Sequence, residues 1–257
     1  MKLKQYIGRH RTNLVTYGVV ILGFVIMQML SASHMLSSSV EGFLVPICAY
    51  VVLAVSLNLV VGISGELSLG HAGFMGVGAF TGIIVAALLK TVIASKVLLL
   101  IVAIVCGGVM AGLFGVVIGL PVMRLRGDYL AIVTLAFGEI LKNLINNMYV
   151  GSDANGVHFV IGTEKPLLAE GGSMVINGPM GATGVAKLAT FPIGFALILV
   201  TLFVVLNLIN SREGRAIKAV RDNRIAAESV GINVTAFRLK AFVVSAFLAG
   251  MAGALYG

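Results

Sequence analysis

The sequence predicts an all-α protein, a polytopic bundle of about seven transmembrane helices. Three observations carry that prediction. Of the 257 residues, 59% are hydrophobic and only 11% are charged, with mean hydropathy +1.06, whereas soluble domains carry about 25% charged residues. The uncharged apolar stretches reach the roughly 20 residues a helix needs to cross a bilayer. Glycine supplies 32 residues, nearly double its usual share of about 7%, as suits helices whose backbones approach closely in lipid.

The spans are read in order. Residues 13–31 form the first. Lys2, Lys4, Arg9 and Arg11 precede it and place the N-terminus in the cytoplasm, because basic residues near span ends resist translocation. The run is long for a signal core and further spans follow, so it reads as an uncleaved span. A short outer loop with Glu41 leads to span two, 43–62. Span three, 69–89, ends outside near Lys90 and Lys96. Span four, 97–120, is stopped by Pro121, and Arg124 and Arg126 hold the next turn in the cytoplasm. Asp128 is a candidate N-cap for span five, 129–148. The Gly-rich segment 150–190, with Pro166 and Pro179, is an outer loop. Span six is 191–209, and span seven starts near Lys240. Residues 1–257 read as a single transmembrane domain. Its cytoplasmic segments hold thirteen of the eighteen Lys and Arg (four, two and seven) and its outer side five.

The net charge of +8 follows from this arrangement. The basic residues lie in short loops between spans, and no aromatic-basic platform for bases accompanies them, so membrane lipid rather than nucleic acid is the expected surround. Cys48 and Cys106 lie in apolar runs away from any Cys/His cluster, so neither a metal nor a redox site is indicated.

The polar stretch 211–240 holds seven of the basic residues. Asp222 can cap a helix there. That helix, 223–230, spans about two turns, roughly 12 Å. Gly231 stands where a helix ends in a left-handed residue, and Asn233 or Thr235 can start the next. A short capped helix on a cytoplasmic loop suits insertion into a partner's groove.

Two further stretches could carry chemistry. Between 62 and 82 glycines stand at 62, 65, 70, 73, 76, 78 and 82, with Glu66 and His71 among them. Either these two line a transport cavity, as costly ionisable groups at membrane depth do, or they belong to a tight cytoplasmic turn and a closely packed helix. In span five Glu139, Lys142 or Asn143, and Asn146 fall on one helical face. They form an outer vestibule or an interfacial Glu139–Lys142 pair. The candidate pathway residues are therefore Glu66, His71, Glu139 and Asn143. Residues 72–76 resemble 249–253, a faint sign of an internal repeat that Gly-rich composition also produces.

Enzyme motifs are absent. There is no H-E-x-x-H or G-x-S-x-G, and Thr81 breaks the G-x-G-x-x-G begun at Gly76. No G-x-x-x-x-G-K-[ST] occurs, so ATP is not bound through a P-loop of this chain. No cofactor is expected.

The stretch GRAIKAVRDNRIAAESVGI closely resembles the coupling ("EAA") loop of ABC importer permeases, with Ala226, Ala227, Glu228 and Gly231 at its key positions. SLNLVVGISGELSLGHAGFMGVGAF at 56–80 and AFVVSAFLAGMAGALYG at 241–257 extend the likeness. From about Val51 onward the chain resembles the LivM-type permease of branched-chain amino-acid ABC transporters. That resemblance implies a permease of the bacterial inner membrane working by alternating access. It also implies cytoplasmic ABC ATPase subunits that bind the ATP, a second permease subunit and a periplasmic substrate-binding protein that largely sets substrate choice. The family continues through further spans, so the chain is expected to be cut short at its C-terminus. Read from the residues alone, the alternative is an ion-coupled secondary transporter of small amino acids or amides, with Glu66 or Glu139 as coupling site.

Overall fold

The computed structural model describes residues 2–33, 37–90, 92–125, 128–153, 156–162, 173–182 and 188–257, with the side chains of 2–13, 128, 152, 156, 157 and 173 outside that description. The N-terminal basic side chains, Arg126, the Asp128 cap, Lys165, Pro166 and Lys187 therefore lie outside the described residues.

Among the described residues, seven helices are long and apolar enough to cross a membrane. They are α1 (Lys2–Ala32), α2 (Ser38–Asn58), α3 (His71–Leu89), α4 (Lys96–Val122), α5 (Asp128–Asn146), α6 (Phe191–Asn210) and α9 (Val234–Tyr256). Two polar helices, α7 (Arg212–Asp222) and α8 (Arg224–Ser229), join α6 to α9. The chain is a multi-pass membrane protein.

The helix α9 is the hub. Of its apolar window 67% is buried by the rest of the protein, against 44% for α4 and none for α1. The core face of α9 is built from small residues: Ala246, Ala249, Gly250, Ala252 and Gly253. Lipid supplies no hydrophobic force to draw apolar helices together, so close backbone contact does the work. At Gly78 of α3 an added Cβ would lie 2.1 Å from the Gly250 carbonyl oxygen, and at Gly253 it would lie 1.9 Å from that of Met75. Around this hub Cys48 and Val52 of α2, Phe195 and Ile198 of α6, and Leu248 and Leu255 of α9 form one apolar cluster. Phe74, Leu130 and Phe242 join α3, α5 and α9 in a second. The first span packs at the edge, where Phe24 stacks on Phe195 with ring centroids 4.0 Å apart.

Four expectations are corrected. Pro121 does not stop α4, which continues to Val122, and Pro46 lies inside α2. A membrane helix tolerates proline where neighbouring groups satisfy the freed carbonyl. Span seven starts at Val234 rather than near Lys240. Charge inside its first turns is sustained by pairing, Lys240 with Glu213 and Arg238 with Glu66. Span two is longer than 43–62, since α2 begins at Ser38 and continues through a π-helical turn, Leu59–Ser64. Span five ends at Asn146, and the loop after it is partly sheet. Strands β1 (Met148–Asp153), β2 (Gly156–Ile161) and β3 (Ser173–Asn177) form an antiparallel sheet in the order β2-β1-β3. Val150, Val175 and Ile176 of this sheet pack against Ile83 of α3.

The loops after spans two, four and six meet at one end of the bundle. Arg221 Nη1 donates to the Gly62 carbonyl at 3.0 Å, and Arg238 Nη1 to that of Met123 at 3.1 Å. Near the exit of α1, Ser31 Oγ donates to Glu41 at 3.2 Å, joining the α1–α2 turn.

Candidate functional site

The polar elbow between α6 and α9 is shaped by three side-chain caps. Ser211 Oγ accepts from Gly214 N–H at 3.1 Å and starts α7. Asn223 Oδ1 accepts from Ala226 N–H at 3.0 Å and starts α8. Asn233 Oδ1 accepts from Ala236 N–H at 3.1 Å and starts α9. The cap of the short helix is thus Asn223, not Asp222. Asn223 has the extended backbone a cap requires, φ −154° and ψ 106°. Asp222 is the last residue of α7 and bonds Arg221 instead. Gly231 ends the helix with φ +82°. Its N–H bonds the Glu228 carbonyl and that of Ile232 bonds Ala227, both at 3.0 Å, a left-handed helix stop.

The four expected coupling residues do not share a surface. Ala227 is buried, packed with Val220 of α7 and Val234 of α9. Its small side chain makes room for the elbow's own helices, not for a partner. Ala226 is exposed, and Glu228 pairs with Arg224 at 3.1 Å. The residues that project are Ile225, 80% exposed, and Val230, 74% exposed. Large apolar side chains in a polar stretch were the sequence signal for them.

The elbow is anchored to the spans by Arg221 and by the Glu213–Lys240 pair. Arg221 grips the π-helical turn of α2, and at Gly65 (φ +74°) a Cβ would stand 2.6 Å from Arg221 Cγ. Turns of this rare kind recur at functional sites. Deeper in, the buried Arg238 guanidinium pairs with Glu66 and holds the Met123 carbonyl at the end of α4.

The expected pathway residues separate into three settings. Glu66 is neutralised by Arg238, a partner 172 positions away that sequence spacing does not reveal. His71 is buried between α2, α3 and α9. Its Nε2 lies 2.9 Å from Ser56 Oγ and 3.3 Å from Ser245 Oγ, and its ring meets Phe74 edge-on. Both residues join helices to one another. Glu139 lines a cavity of about 340 Å³ between α3 and α5 together with Lys142 and Asn146. Asn143 is exposed outside that lining, one residue and about 100° around the helix from Lys142; its carbonyl accepts from Asn147 Nδ2 at 2.8 Å. The carboxylates required by an ion-coupled mechanism, Glu66 and Glu139, are each in an ion pair. Among the described residues no group of three or more His, Cys, Asp and Glu is placed to hold a metal.

Comparison with known proteins bears on this arrangement. The family described as "Branched-chain amino acid transport system / permease component" matches residues 39–257. The high-affinity branched-chain amino acid transport system permease protein LivM of Escherichia coli (strain K12) is 37% identical over 220 residues, 80% of this chain and 49% of that protein. Its counterpart in Salmonella typhimurium is 36% identical over the same shares. The nucleoside ABC transporter permease protein NupC of Lactococcus lactis subsp. cremoris is 26% identical over 167 residues, 55% of this chain and 53% of that protein. The chain thus spans about half the length of the curated relatives it matches. No solved structure matches it at a significant level.

Proposed function

The chain belongs to the branched-chain amino acid transport system permease family, and from that premise we propose that it is the membrane-spanning subunit of an ATP-driven importer of branched-chain amino acids. Separate cytoplasmic ATPase subunits bind the ATP, a second permease subunit completes the bundle, and a periplasmic protein delivers the substrate. The membrane is the bacterial inner membrane, and the elbow lies on its cytoplasmic side together with the N-terminus.

The observation that carries the reading is α8. It is a helix of six residues, capped at its start, stopped by Gly231, and bearing Ile225 and Val230 outward on a polar segment; the helices on either side of it bond the ends of other spans, α7 through Arg221 to Gly62 and α9 through Arg238 to Met123. Capped, rigid helices with exposed apolar side chains dock into grooves on partners. ATP-driven closure of the ATPases would move α8, and the two arginine anchors would carry that movement into α2, α4 and α9.

Ile225→Glu tests the coupling. The side chain is 80% exposed, so the substitution should leave folding within about 0.5 kcal/mol of wild type, as surface changes do. In a docked contact it should cost roughly 2 kcal/mol or more, the scale of a buried hot spot. ATP-driven uptake and ATPase co-purification should then fall at least tenfold at equal membrane levels. Wild-type values for both would sink the docking role of α8.

Sidedness is tested by labelling intact cells with a membrane-impermeant thiol reagent, after Cys48 and Cys106 are replaced by alanine. Met180→Cys should react and Ser229→Cys should not. The reverse pattern would invert the proposed orientation.

A further inference from the structure

The span α5 is the least apolar of the seven, with mean hydropathy 1.2 over Tyr129–Asn146, and it carries an ion pair on an open face. Lys142 Nζ and Glu139 Oε2 are 3.3 Å apart, with side chains 64% and 58% exposed. Glu139 stands seven residues and Lys142 four residues before the end of α5 at Asn146, roughly 10 and 6 Å along the helix, in the outer half of the span. Ionisable side chains on a membrane span characteristically face a cavity or a partner.

The pair opens onto the cavity of about 340 Å³ between α3, α5 and the outer loop at Gly178, Pro179 and Gly181. The walls are of two kinds. Gly70, Gly73 and Gly138 present bare backbone, while Phe80 and Ile145 present apolar side chains. The volume is that of a small-ligand site. Opposite charges side by side at the mouth of an apolar slot match one chemical class closely.

We propose that this cavity binds a zwitterionic α-amino acid with an aliphatic side chain on its way through the permease. Glu139 receives the ammonium group, Lys142 receives the carboxylate, and the aliphatic chain lies along the glycine backbone towards Phe80. The assignment rests on the importer reading above and names, within it, the residues that meet the substrate. When the cavity is empty, Glu139 and Lys142 neutralise each other. On binding, one ion pair is exchanged for two charge-assisted contacts. An uncharged nucleoside, the substrate class in the name of one relative, would separate the pair without replacing either contact.

The experiment uses the complete transport complex in proteoliposomes of phosphatidylcholine, with Cys48 and Cys106 replaced by alanine and Gly76→Cys as reporter. At Gly76 an added Cβ meets only Ile145 Cδ1, at 3.4 Å, so the reporter fits. Leucine should slow thiol labelling of the reporter at least fivefold. Isocaproate, which lacks the ammonium, isoamylamine, which lacks the carboxylate, and uridine should not slow it. Glu139→Gln and Lys142→Met should abolish the protection and raise the KM for leucine uptake about tenfold or more, the scale of a lost charged contact. Protection by isocaproate, isoamylamine or uridine, or none by leucine, overturns the assignment. Leucine uptake by both neutral variants at the wild-type KM overturns it while leaving the importer reading intact. Absence of leucine uptake by the wild-type complex overturns both. Reporter protection that appears without leucine when phosphatidylethanolamine is added assigns the pair to a lipid headgroup and also overturns it.

Discussion

Gly253→Val is expected to abolish the packed bundle. A Cβ at this position would lie 1.9 Å from the Met75 carbonyl oxygen and 2.9 Å from the Ala79 nitrogen. Both are backbone atoms of α3, so no side-chain rotation relieves the clash, and α3 must separate from α9. Ordinary overpacking costs about 1–3 kcal/mol. Here the cost should exceed that range, because the displaced contact is one of the two close backbone approaches, to α3 and to α4, that hold the hub helix in lipid. Size-exclusion yield of the detergent-solubilised protein should fall to a small fraction of wild type. Gly23→Val is the control, since nothing stands within 4 Å of a Cβ there, and it should be silent. Equal yields for the two variants would mean that α3 and α9 are not packed backbone to backbone.

Arg238→Met should be nearly as damaging, for a different reason. Arg238 is 5% exposed, and its guanidinium is shared between Glu66 and the Met123 carbonyl. Methionine keeps most of the volume and removes the charge. Glu66, with a side chain only 17% exposed, is then left as an unpaired carboxylate at the end of the bundle. Breaking a buried pair from one side costs about 3–5 kcal/mol. On the scale of soluble chains of this size, the thermal midpoint should drop by on the order of 10 °C. The double change Glu66→Gln with Arg238→Met should recover much of that loss, because no stranded charge remains. The double-mutant cycle therefore separates coupling from packing. Additive losses would show that the two side chains do not act as a pair.

Uptake by that double variant speaks to mechanism. Its bundle should be restored while the Arg238 link from α9 to Glu66 and to Met123 at the end of α4 is missing. If Arg238 transmits movement, transport should stay low in a protein that is folded and assembled.

The arrangement shows which features local sequence encodes. Span number and position were legible because a membrane helix is specified by some twenty consecutive residues and little else. The stop at Gly231 was legible, and the start of the last helix was narrowed to Asn233 or Thr235, because such signals rest on backbone chemistry within a single turn; the structure selects Asn233. The family was legible in the elbow and the Gly-rich stretch after span two. The choice between Asp222 and Asn223 was not. Both are good caps, and what decides is that α7 extends through Asp222, held on α9 by the Glu213–Lys240 pair and the burial of Ile217 and Val220.

Sequence alone therefore determined the all-helical membrane class, the seven spans and the short capped helix between the last two, since each is set by contacts within a turn or by transfer of a contiguous stretch into lipid. Tertiary structure decided everything that depends on residues far apart in the chain. Glu66 became half of an ion pair once α9 brought Arg238 beside it. Ala227 turned inward because α7 and α9 enclose it. Glu139 faced a cavity and Asn143 did not, because α3 approaches only one side of α5. Periodicity specifies a helical face, but only the packed neighbour specifies what that face meets.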